Sequence, residues 1–164
     1  MSKRSLNSGS YRLEHLIEFE PYTENQKRAY EAWKDGYHLV LAGSAGTGKT
    51  FLGMCFALEE VLDKQTEYDQ LIVMRSIVPT RDIGYLPGDE TEKKRAYTNP
   101  YVGIAGDLLD DEAAWDKLIL NKKVNFLSTS FIRGTTFDNS IILIDEMQNL
   151  TFHELDSVLT RVGE

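Results

Sequence analysis

Cysteine is almost missing from this sequence: Cys55 stands alone, so no internal disulfide forms and no thiol pair is on offer to a zinc module. A small buried core residue is the expected role for it. Histidine is sparse too. His15, His38 and His153 fall at no spacing used by metal ligands, and none is expected to bind one. Long apolar runs are lacking. No stretch approaches the ~18 to 20 residues of a membrane helix, and the first residues lack the apolar centre of a secretory signal, so a cytoplasmic protein without membrane contact is expected. Positive charge is in deficit as well. Lys and Arg number 18 against 26 Asp and Glu, a formal net charge of −8, which argues against attraction of nucleic acid to the whole surface and leaves room only for a local basic groove.

What is present reads as globular. Apolar residues at 41% and charged residues at 27% fit a folded domain, and 164 residues allow one domain with a real core. Residues 1–10, MSKRSLNSGS, are expected to form a flexible tail and residues 11–164 a single domain, with structure starting near Leu13. Thr23-Glu24-Asn25-Gln26 is a T-x-x-Q capping box that opens a helix, with Gly36 as its stop. A strand is expected at about 38–42, a helix from Lys49 to Leu62, and a buried strand at Leu71–Met74. Prolines and glycines between 75 and 109 are expected to break any long element there. A helix at Asp110–Lys122, strands at Val124–Leu127 and Ser140–Ile144, and a closing helix capped by Thr151 and Glu154 and ended by Gly163 complete the pattern. Strands alternating with helices make the fold α/β with a parallel sheet.

Between the first strand and the helix after it lies Gly43-Ser44-Ala45-Gly46-Thr47-Gly48-Lys49-Thr50, a full G-x-x-x-x-G-K-[ST] phosphate loop. Its glycines let the backbone curl until several N–H groups converge on one concavity, where a polyanion fits. Lys49 would reach the β- and γ-phosphates, and the Thr50 hydroxyl would ligate magnesium. The second half of the site is Asp145-Glu146, directly after Ile141-Ile142-Leu143-Ile144. Carboxylates at the C-terminal end of a buried parallel strand lie on the edge where open α/β sheets bind ligands. Asp145 is expected to support the magnesium, and Glu146 to polarise the attacking water. Guanine enzymes carry an N-K-x-D element, whereas Asn121-Lys122-Lys123 runs into Val124, so ATP is the expected nucleotide.

Asp145-Glu146-Met147-Gln148-Asn149 resembles the DEAQN segment of PhoH-like proteins, which group with RecA-like, helicase-type ATPases. Arg75 followed by Tyr85-Leu86-Pro87-Gly88-Asp89 resembles that family's R…FLPGD stretch, and Phe131-Ile132-Arg133-Gly134-Thr135-Thr136 its MRGRT stretch. Met147 stands for a usual alanine, Tyr85 for a phenylalanine and Thr135 for a second arginine. The resemblance runs from about Thr23 to the end. It implies a RecA-like sheet with helices on both faces, ATP and Mg2+ as cofactors, and RNA or single-stranded DNA as partner, with a homo-oligomeric ring in the complete protein. It further implies that Gln148 senses the γ-phosphate, that Gln26 reads adenine unless its capping role holds it, and that Arg75 and Arg133 contact nucleic acid or phosphates unless they form surface ion pairs.

In RecA-like ATPases the strand after the carboxylate pair inserts beside the phosphate-loop strand. This chain ends at Arg161-Val162-Gly163-Glu164, so by that analogy its last strands are expected to be missing, with weak or slow activity and exposed strand edges as the result. The leading expectation is a magnesium-dependent ATPase, helicase-like in kind. The alternative is a nucleotide-dependent protein-interaction module; a small-molecule kinase lacks an evident acceptor site.

Overall fold

The computed structural model describes residues 10–76, 90–129 and 136–163, with backbone only for 90–94. Three strands, β1 (Gln70–Arg75), β2 (Val124–Ser128) and β3 (Ser140–Asp145), form a parallel sheet in the order β2-β1-β3. Leu71 pairs with Val124 on one side and Ile141 on the other, and the register carries Arg75 to Ser128 and to Asp145. The C-terminal ends of all three strands therefore share one edge.

Because side chains alternate along a strand, β1 sends Leu71 and Val73 to one face and Ile72 and Met74 to the other, and all four are fully buried. The first face is covered by α2 (Lys49–Leu62), α3 (Glu90–Leu109) and α4 (Ala114–Leu120), with α1 (Glu24–Lys34) packed outside α2. On the second face Val158 of α5 (Phe152–Leu159) and Phe137 close over Ile72 and Met74. Helices on both faces are what a buried parallel sheet demands. Gly53 lets α2 approach β3: a Cβ there would lie 2.7 Å from Leu143 Cδ1.

Four expectations need correction. Residues 38–42 form no strand. Leu39 and Leu41 pack toward the core while Val40 is 76% exposed, so the alternation is present, but no neighbour among the described residues takes the backbone hydrogen bonds that make a ladder. The segment read as broken contains α3, a 20-residue helix with Pro100 inside it. Tyr101, Ala105, Leu108 and Leu109 recur at helical spacing and are buried, and that burial outweighs the hydrogen bond Pro100 cannot make. Finally, α4 spans Ala114–Leu120 only, and α5 ends at Leu159, capped by Thr160 rather than stopped by Gly163. Gly163 instead belongs to a parallel bridge in which Phe137 N donates to Arg161 O and Gly163 N donates to Phe137 O, both at 3.0 Å.

Candidate nucleotide site

Gly46 and Gly48 take left-handed backbone, φ 76° and 80°, which bends the loop and starts α2 at Lys49. The residues from Gly43 to Gly48 are exposed, leaving the amides at the helix start open to a ligand. Lys49 folds back over the loop: its Nζ donates to Gly43 O at 2.9 Å and to Ser44 O at 2.7 Å. Thr47 Oγ1 also donates to Ser44 O, at 2.9 Å.

The sheet brings the second half of the site to this loop. Thr50 Oγ1 donates to Asp145 Oδ1 at 2.9 Å, joining groups 95 residues apart in sequence. A hydroxyl and a carboxylate are the hard oxygen donors that magnesium takes, and magnesium binds through one or two carboxylates plus substrate phosphates and waters. Among the described residues no cluster of three His, Cys, Asp or Glu occurs that could cage a metal unaided. Thr50 and Asp145 therefore fit a cation shared with a bound triphosphate.

Directly after Asp145, Glu146 adopts φ 51°, a left-handed conformation uncommon outside glycine. That turn ends β3 and begins a short 3-10 turn at Met147–Asn149, bringing Gln148 Nε2 into a hydrogen bond with Glu146 Oε2. Both sequence-expected residues are thus coupled at the rim of the sheet edge.

Gln26 is held elsewhere. Its backbone N–H donates to Thr23 Oγ1 at 3.2 Å, and its Oε1 accepts from Tyr22 N at 2.7 Å. Half of the expected capping box forms: Thr23 caps the Gln26 amide, while the Gln26 side chain accepts from Tyr22 N instead of Thr23 N. Arg133 lies outside the described residues, as do the Tyr85–Asp89 stretch and the rest of the Phe131–Thr136 stretch up to residue 135. Arg75, at the end of β1, is half-buried, and its guanidinium acts by charge and hydrogen bond on the Tyr101 phenol.

Tyr101 itself escaped the sequence reading. It is fully buried, and its hydroxyl donates to Asp145 Oδ2 at 2.8 Å. Burial, then the Asp145 charge and the hydrogen bond to it, raise the phenol well above the usual tyrosine range, so it stays a donor. The apolar spacing of Tyr101, Ala105 and Leu108, masked by Pro100, Gly103 and Gly106, marks a buried helix position and carries no sign of the contact with Asp145.

A parallel α/β sheet with a phosphate loop and an aspartate converging at its C-terminal edge defines the phosphate-loop class of nucleotide-binding proteins. The family model described as PhoH-like protein matches residues 18–164, and the chain belongs to the PhoH-like family. It is 36% identical over 157 residues to Protein PhoH2 of Bacillus subtilis (strain 168), covering 92% of this chain and 35% of the relative. It is 34% identical to the PhoH-like protein of Mycobacterium leprae (strain TN), covering 87% of this chain and 40% of that one. Protein PhoH of Escherichia coli (strain K12) is 34% identical over 130 residues, 77% of this chain and 36% of the relative. The chain thus spans between about a third and two fifths of these relatives' length. No helix among the described residues is long and apolar enough to cross a membrane.

Proposed function

We propose that the chain carries the nucleotide-binding unit of a PhoH-like, magnesium-dependent ATPase whose hydrolysis is coupled to RNA or single-stranded DNA. The observation that carries this reading is the Thr50–Asp145 hydrogen bond of 2.9 Å, which joins the two motifs on which magnesium-assisted phosphoryl transfer depends. Magnesium bound there supplies neutralisation of charge on the β- and γ-phosphates.

The other roles fall to the chain's own groups. Loop amides from Gly43 to Gly48 hold phosphate oxygens, and Lys49 exchanges two neutral carbonyl acceptors for a charged phosphate, the stronger partner. Glu146 takes the proton of a water whose oxygen bonds to the γ-phosphorus. The bond from that phosphorus to the β–γ bridging oxygen breaks, and ADP departs with its electron pair. Gln148, hydrogen-bonded to Glu146, orients that carboxylate and links it to the γ-phosphate. Absence of an N-K-x-D element favours adenine over guanine. Reading adenine through both amide atoms would require Gln26 to give up Tyr22, so its helix-start role is the one the geometry favours. Arg75 and Arg133 are the proposed nucleic-acid or phosphate contacts, and a ring of copies is the proposed assembly.

Phosphate release from Mg·ATP, measured with and without single-stranded oligonucleotides, tests this reading. Lys49→Ala is expected to abolish triphosphate binding. Glu146→Gln is expected to keep binding and lose turnover by about 100-fold or more, the scale of a general-base contribution. Stimulation by oligonucleotide that fades with rising salt supports nucleic-acid coupling; ATP turnover indifferent to any strand favours the protein-interaction alternative. A folded protein that binds no Mg·ATP overturns the proposal.

A further inference from the structure

Tyr101 carries a polar group into a place where a phenylalanine would pack as well. Its ring stacks on Trp115 with centroids 5.8 Å apart and planes at 25°, and meets Phe126 at 5.8 Å and 40°. All of the packing is done by the ring. The hydroxyl is left with one described side-chain acceptor, Asp145 Oδ2 at 2.8 Å, while Thr50 takes Oδ1 of the same carboxylate at 2.9 Å. A buried tyrosine hydroxyl calls for partners, and here Arg75 acts on it from one side while the acceptor of its proton is the acid of the nucleotide site.

We propose that Tyr101 is a positioning residue: its phenol fixes the Asp145 carboxylate in the orientation that receives a divalent cation, and so ties helix α3 to the nucleotide cleft. With Thr50 on one oxygen and Tyr101 on the other, the carboxylate cannot rotate freely about its Cβ–Cγ bond. The aromatic stack against α4 and β2 makes the phenol a rigid support. Asp145 sits at the last position of β3, where the sheet alone controls its backbone but not its carboxylate plane. Groups that hydrogen-bond a ligating carboxylate raise metal affinity by pre-setting it, and their loss typically costs about 10- to 100-fold.

This inference rests on the magnesium-dependent nucleotide binding proposed above, and the test separates the two. Fluorescent ATP analogue binding is followed during a Mg2+ titration, and again in EDTA, for the wild type and Tyr101→Phe. Tyr101→Phe keeps the ring stack, and its thermal unfolding checks that the fold is kept. The expected result is a Mg2+ half-saturation point raised about 10-fold, with metal-free nucleotide binding unchanged. A merely structural hydroxyl would lower the melting temperature and leave the Mg2+ midpoint in place; that outcome overturns the positioning role alone. Equal loss of metal-free and metal-dependent binding overturns it too. A wild type whose nucleotide binding ignores Mg2+ removes both this inference and the reading beneath it.

Discussion

Asp111 shows how single residues hold this chain in shape. It accepts from Lys117 and Tyr11 through side chains and from Ala113 N at 3.0 Å, so three donors surround one carboxylate between α3 and α4. These hydrogen bonds, Lys117 first and Tyr11 next, lower its pKa to about 2. A folded-state value below the ordinary ~3.9 means that folding favours the ionised acid. The stabilisation is then fully present above about pH 4 and is lost as pH falls through about 2. Asp111→Asn is expected to lower the melting temperature at neutral pH, and the gap from wild type should close between pH 4 and 2. A gap constant across that range would show that the carboxylate's charge contributes nothing. Residues at the nucleotide site divide by how local their signals are. The meeting of Thr50 with Asp145 was legible because each belongs to a short motif whose chemistry fixes spacing. Tyr101 was not, because its role depends on a contact across 44 residues that no local pattern encodes.

Elements followed their signals where caps and periodicity agreed. The helix α2 spans Lys49–Leu62 as its stripe and loop required, and α5 opens at the expected capping box, with Glu154 N donating to Thr151 Oγ1 at 3.3 Å and Thr151 N to Glu154 Oε2 at 2.8 Å. Glu154 also accepts from Thr129 Oγ1 at 3.0 Å, tying this helix start to the end of β2. Thr151→Ala is expected to cost about 1 kcal/mol, read as a lower urea midpoint with unchanged slope. A midpoint that does not move would show that the cap adds nothing to an eight-residue helix. Elements defied their signals where tertiary contacts decided. Proline and two glycines argued against α3, yet its buried face prevailed; five residues patterned as a strand at 38–42 gained no ladder, since pairing is a property of two segments and the pattern belongs to one.

At the scale of the whole molecule, β1 is flanked on both sides while β3 has β1 on one side only among the described residues. The outer edge of Ser140–Asp145 follows the Phe137–Val162 bridge and carries an apolar run from Ile141 to Ile144. Unpaired edges of this kind invite pairing with another strand. The 164-residue chain is therefore expected to self-associate across about 1 to 100 μM, seen as a rising weight-average sedimentation coefficient. A single monomeric species throughout would show that the edge is protected. Layering on both faces of the sheet was legible from the four-residue apolar strands, whereas the strand order followed from no local feature. The Thr50–Asp145 contact has a last consequence. Its two halves meet only when a sheet made of widely separated segments has formed, so the unfolded chain offers a triphosphate no comparable grip. By mass action a triphosphate bound there would act as a ligand that stabilises the folded chain, by about 2.7 kcal/mol at a hundredfold excess over its dissociation constant.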